Sequence, residues 1–357
     1  MNRHTPGAVR LGIASLGLLL LTGLAGCTRP QPRVVLYCAQ DEEFATGLLA
    51  DFRQRTGLEV APKFDTEADK SVSLYLELVR EKDRPRCDVF WNNEILSTIR
   101  LQKQGMLEPY ASPSAAPYPA WCKGPDDTWH AFAERARILV VNARLLKEKD
   151  RPRSILDLTR PEWKGRVAMA KPEYGTTATQ AACLFAVLGP EKAKQYYRDL
   201  RANDVQIAPG NRQVAAWVGA GRSPGGRPTV VGMCDPDDAL EEMETNPDVA
   251  IVIPDADRPK EEAMGTLFIP NTVAILEGAP DPEGARKLVD YLLSAEVEKK
   301  LAEGGSHQLP LNPEVKAELP KALVGLRSAK RMDVDFEKAA ALWDEVQTFL
   351  RNEFARP

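Results

Sequence analysis

The run VVGMCDPDDA, residues 230–239, passes abruptly from apolar residues into three carboxylates, Asp235, Asp237 and Asp238. Carboxylates are hard oxygen donors that suit Ca²⁺, Mg²⁺, Mn²⁺ or iron, and they equally suit an ammonium group. Val230 and Val231 predict a short buried strand, which Pro236 helps to end. Asp235 then suits a helix N-cap, Pro236 the first helical position, and Asp237 and Asp238 the first turn. Ligands bind at the C-terminal edge of strands in open α/β sheets. Capping and dipole preferences alone also place Asp at helix starts, and this stretch taken by itself favours capping.

The rest of the chain bounds the choice. Its 357 residues can hold two domains with sizeable cores, and 43% hydrophobic and 27% charged residues are ordinary globular values. A formal charge of −4 offers no basic footprint for nucleic acid. No GxxxxGK[ST], GxGxxG or HExxH motif occurs, and three histidines are too few for a His-rich metal site. The cysteines lack CxxC spacing, and Cys38, Cys87 and Cys234 fall in or beside apolar strand-like runs, which suits buried small hydrophobes better than zinc. Tyr196 and Tyr197 could ligate iron, but EKAKQYYRDL is amphipathic and puts both on its apolar side, so packing is the better reading.

The N-terminus reads as a targeting segment over residues 1–26. Arg3 and Arg10 precede the apolar run Leu11 to Leu24, too short for a comfortable membrane span. The run ends LAGC, which resembles a lipoprotein cleavage box with Cys27 as the acylated residue. Residues 27–33 then form a lipidated tether, and the protein is expected outside the cytoplasm, anchored to a membrane.

Strands and helices alternate through the first third: a strand at 34–38, a helix at 42–56 closed by Gly57, a strand at 58–64, a helix at 70–81, a strand at 88–91 and a helix at 94–104. Further strands are predicted at 136–142, 167–170, 249–253 and 267–276, and helices at 191–201, 211–219, 282–293, 295–301 and 336–354. Alternation argues for parallel sheets with covering helices, and the apolar runs around Ile138 and Phe268 for two lobes joined by crossing strands.

In order and spacing the segments VVLYCAQDEE, FRQRTGLEV, CDVFWNNE, ERARILVVN, LTRPEWKGRVAMAKPEYGTT, GNRQVAAWVGAG and GTLFIPNTVAILEGAPDPEGARKLVDYLLS resemble the extracellular solute-binding proteins of ABC importers, specifically the ferric-ion-binding branch. The resemblance implies the two-lobed α/β periplasmic-binding-protein fold (type II), with an inter-lobe ligand cleft and C-terminal helices. It assigns residues 34–137 and 265–311 to lobe 1, and 138–264 and 312–357 to lobe 2. The adjacent tyrosines of ferric-binding relatives fall on Asp237 and Asp238, and their other metal-side positions on Asp41 and Asn93, with Glu94 beside it. An anion-binding half is implied at Tyr174, Gly175, Thr176 and Thr177, with Arg135 and Asn211.

The expected function is capture of iron or another metal ion with a synergistic anion, and delivery to an ABC permease and its ATPase. An amine-bearing phosphonate or carboxylate is the alternative ligand. The competing class is a metal-dependent hydrolase using Asp41, Asp237 and Asp238; no nucleophile motif and no histidine near a carboxylate support it. A binding subunit serving a sensor kinase is a third class.

Overall fold

The computed structural model describes residues 33–65, 72–259 and 261–354. The signal-like segment and Cys27 lie outside the described residues, as does most of the tether. The strands are β1 (Arg33–Cys38), β2 (Glu59–Phe64), β3 (Val89–Asn92), β4 (Leu107–Glu108), β5 (His130–Ala136), β6 (Ile138–Asn142), β7 (Val167–Ala170), β8 (Gln206–Ala208), β9 (Val231–Cys234), β10 (Val249–Val252) and β11 (Phe268–Leu276). The α-helices are α1 (Glu42–Thr56), α2 (Val72–Arg80), α3 (Leu96–Lys103), α4 (Gly175–Leu188), α5 (Pro190–Ala202), α6 (Asn211–Ala220), α7 (Pro236–Thr245), α8 (Pro282–Leu292), α9 (Ala295–Glu303), α10 (Phe336–Ala341) and α11 (Trp343–Phe349).

Two sheets organise these elements. The first runs β2-β1-β3-β11-β4, with β5 also on β11; the second runs β10-β6-β9-β7-β8. Parallel pairing holds for β1 with β2 and β3, and for β7 with β8 and β9. Strand β11 runs antiparallel to β3, β4 and β5, and β6 antiparallel to β9 and β10. Both sheets are therefore mixed, not purely parallel. The antiparallel strands are the ones beside the crossings, where the chain enters a lobe from the other side instead of through a covering helix.

The expected strand over 136–142 is two strands that belong to different sheets. β5 ends at Ala136 and β6 begins at Ile138, so Arg137 is the single residue between them. Its backbone N–H donates to Leu267 O at 2.8 Å, just before β11 begins the return to the first sheet. Both crossings are thus tied together at Arg137. The two-lobed α/β architecture read from the sequence is the fold observed.

The helix expected over 336–354 is interrupted. It breaks after Ala341, resumes as α11 and finishes in a wide turn, Leu350–Phe354. Phe349 and Phe354 there pack edge-on against Tyr197. Tyr196 and Tyr197 are core residues, with the Tyr196 hydroxyl donating to Ile155 O at 3.2 Å. Cys38, Cys87, Cys122, Cys183 and Cys234 are buried thiols, none of them in a disulfide.

Candidate functional site

The second sheet delivers its chemistry from helix starts. After β9, the chain turns at Asp235 and enters α7 with Pro236 at its first position, which leaves Asp237 and Asp238 in the first turn. After β7, Tyr174 precedes α4, whose first residue, Gly175, has φ 54°, in the left-handed region that glycine tolerates best. After β8, Gly210 precedes α6, which begins at Asn211. The starts of α4, α6 and α7 thus lie at the C-terminal ends of β7, β8 and β9. The first sheet contributes Asp41, between β1 and α1, Asn93 after β3, and Arg135 near the end of β5.

These residues line one cavity of about 480 Å³. Asp41, Asn93, Arg135, Tyr174, Gly175, Thr176, Thr177, Asn211, Asp237 and Asp238 all lie in its wall. Glu94 does not. Its carboxylate is buried and accepts from the backbone N–H of Leu96 and Ser97 at the start of α3, from the Asn92 amide and from the Thr179 hydroxyl. It holds the start of α3 instead of facing the cavity, so the adjacency of Asn93 and Glu94 in sequence misled.

The wall is strongly acidic. One carboxylate oxygen from each of Asp235, Asp237 and Asp238 lies within 4.8 Å of the others. Asp41, Glu43, Glu241 and Glu244 line the same cavity, against the cations Arg135, Lys171 and Arg212. His307 is also there, although the sequence places no histidine near a carboxylate; the fold brings it in from the far end of the first-sheet half of the chain. Burial pushes its imidazole below the ordinary histidine range. At the rim, Arg212 of α6 pairs with Glu43 of α1 at 3.0 Å and Glu241 of α7 at 3.0 Å. Exposed pairs of this kind contribute little stability.

Two arginines divide the cationic work, and the sequence singled out only one. Arg135 is fully buried, donates to Gln40 Oε1 at 3.1 Å, and its Nε makes no hydrogen bond. Burial disfavours its charge, but Asp237, Asp235, Asp41 and Asp238 outweigh that and hold the guanidinium protonated. Arg135 is therefore a buried cation of the cavity wall and not a surface residue.

Arg137, overlooked in the sequence because it reads as part of the crossing strand, is the hub. It donates to Gln180 Oε1 at 2.9 Å, Thr176 Oγ1 at 3.1 Å, Asn211 Oδ1 at 3.3 Å and Thr177 Oγ1 at 3.4 Å, and pairs with Asp235 Oδ1 at 2.5 Å. Asp235 Oδ2 accepts from Thr176 Oγ1 at 2.6 Å and Asn211 Nδ2 at 3.0 Å. Asp235 occupies the N-cap position of α7 but makes no side-chain cap bond, so the capping expectation fails for its carboxylate. Burial pushes the Asp235 carboxyl up, and Arg137, Arg135 and the Thr176 hydroxyl outweigh it, leaving it below the usual carboxylate range.

Comparison with known proteins agrees with this architecture. Residues 97–336 match the model for bacterial extracellular solute-binding proteins. The major ferric iron-binding protein of Neisseria meningitidis serogroup A is 24% identical over 316 residues, which cover 83% of this chain and 86% of that protein. A Salmonella typhi periplasmic protein named for 2-aminoethylphosphonate binding is 29% identical over 166 residues, 46% of each chain. The periplasmic binding protein AfuA of Actinobacillus pleuropneumoniae, solved with exogenous fructose-6-phosphate, superposes with a TM-score of 0.76 at 23% identity, over 92% of this chain and 100% of that one. With well over half its length matched, this chain belongs to the family of bacterial extracellular solute-binding proteins.

Proposed function

We propose that the chain is the substrate-binding component of an ABC importer and captures a solute with a positively charged part. The observation that carries this is the facing of Asp41, Asp237 and Asp238 across one cavity, with Arg135 as the fully buried cation among them. Relatives are named for ferric iron and for 2-aminoethylphosphonate, and a structural neighbour was solved with exogenous fructose-6-phosphate, so the ligand has to be read from this cavity. Its first reading is a hard metal ion, iron or a divalent cation, held by Asp237 and Asp238 with Asp41, and an accompanying anion on Arg135. Function then consists of binding in the open cleft, lobe closure and release to the permease and ATPase, with no chemical step.

The second reading is an amine-bearing phosphonate or carboxylate, its ammonium on the same aspartates and its anionic end on Arg135. One observation favours it, the 2-aminoethylphosphonate name of a relative; the Arg135 Nε that makes no hydrogen bond within the protein suits the anion of either reading. Titration calorimetry of the chain from residue 28 with Mn²⁺, with Fe³⁺ and phosphate, and with 2-aminoethylphosphonate separates the two. Heat from none of these, together with tight binding of a purely anionic sugar phosphate, would refute a cationic solute.

Arg135→Ala is expected to weaken binding of whichever solute the titrations identify by about 1–3 kcal/mol, the scale of a lost hydrogen bond to a charged group. Unchanged affinity would make Arg135 a support for Gln40 and nothing more.

We further propose that Cys27 carries the lipid anchor and that the protein works at the outer face of the cytoplasmic membrane or in the periplasm. Among the described residues no helix is long and apolar enough to cross a membrane. Cys27→Ala is expected to shift the protein from the membrane to the soluble fraction, or to leave its precursor uncleaved. Normal processing and fractionation of the variant would count against acylation.

A further inference from the structure

Side chains from the starts of α4 and α6, Thr176 and Asn211, converge with Arg137 on a single carboxylate, that of Asp235, which directly precedes α7. Each helix start presents unsatisfied N–H groups and the positive end of a dipole, which favours an anion. Arg137 adds a full positive charge, Thr176 a hydroxyl and Asn211 an amide, all within hydrogen-bond reach of Asp235. Such a set of donors would draw an anionic solute. The chain instead supplies the anion itself, since both Asp235 oxygens are engaged and the residue is 4% exposed.

The consequence falls on the cavity. Arg137 is matched by Asp235, so it does not offset Asp237 and Asp238, which stand beside the pair. A neutral residue at 235 would leave Arg137 without its counter-charge beside the cavity, and the charge balance would turn toward anions.

We infer that Asp235 is the resident anion of this site and sets its preference for positively charged solutes, occupying with its own carboxylate the cradle that Arg137, Thr176 and Asn211 form. This rests on the cationic-solute reading above for its functional consequence, but not for the occupation of the cradle. It leaves Arg135 as the group that receives any anionic part of the solute.

The test is Asp235→Ala, titrated with formate and with Mn²⁺. Formate, a single carboxylate, is expected to bind the variant roughly tenfold or more tighter than wild type, as one regained charge-assisted contact implies. Mn²⁺ affinity is expected to fall in the variant and to recover when formate is added. Equal formate affinity in the two proteins overturns the inference, and so does Mn²⁺ affinity that the substitution leaves unchanged. Asp235→Asn serves if the alanine variant does not fold: it keeps the shape and removes the charge, and should weaken Mn²⁺ binding, whereas wild-type affinity in that variant overturns the inference. Wild-type protein that takes up no Mn²⁺ refutes the metal reading itself, and the formate comparison then decides the role of Asp235 alone.

Discussion

Arg137→Met is expected to destabilise the protein by about 3–5 kcal/mol, the cost of removing one partner from a buried ion pair. The substitution strips a guanidinium that bonds Asp235, Gln180, Thr176, Thr177 and Asn211, and leaves the Asp235 carboxylate buried beside a thioether. Removing both charges together should cost less than removing the arginine alone, because no uncompensated ion remains. Denaturant unfolding of Arg137→Met and of Arg137→Met with Asp235→Asn makes the comparison. A double variant as unstable as the single one would place the loss in packing, not charge.

The pH dependence has a definite sign. The folded Asp235 carboxyl titrates below its unfolded value of about 4. Its contribution to wild-type stability is therefore present at neutral pH and lost only as the pH falls through the folded, lowered value. Wild type should hold this contribution across the range from neutrality down to about pH 5, and lose it under stronger acid.

Asp237→Asn and Asp238→Asn are expected each to weaken a cation-bearing solute by roughly tenfold or more, the effect of one lost charged contact, while the fold persists. Both residues are in the first turn of α7 and line the cavity, and neither is fully buried. Asparagine keeps the shape and hydrogen-bonding capacity, so little besides charge changes. The competing account is that both aspartates serve only the helix start. It predicts a stability loss of about 0.3–1 kcal/mol from the dipole interaction and no loss of affinity. Calorimetric titration and melting curves on the same two variants separate the accounts. Lowered melting temperature with intact affinity would return Asp237 and Asp238 to the helix start.

The acidic site has a bearing on cargo. Relatives of this family are named for ligands as different as a ferric ion and an aminophosphonate, on one fold. In this chain the first turn of α7 carries aspartates at 237 and 238, where the ferric-binding resemblance places tyrosines. Tyr196 and Tyr197 do not replace them, because both are in the core of the second-sheet side, packed against the C-terminal helix.

The sequence alone determined the element order and most boundaries. Period and punctuation are local properties: Glu42 to Thr56 repeats at helical spacing and stops at Gly57, whose φ of 72° is one that glycine adopts freely. Asp41, Asp237, Asp238 and the 174–177 loop were assigned to the cleft through the family resemblance, and all of them line the cavity. Only the tertiary structure decided which carboxylates are spent. Glu94 and Asp235 look like site residues by type and position. Glu94 is taken by backbone N–H groups of α3 and by Thr179, and Asp235 by an arginine 98 positions earlier in the chain. Arg137 was illegible because it lies within an apolar run that reads as one strand, while the chain leaves one sheet and enters the other at that residue. Pairing between charges distant in sequence depends on where two crossings and three helix starts meet in space, and no local pattern encodes that meeting.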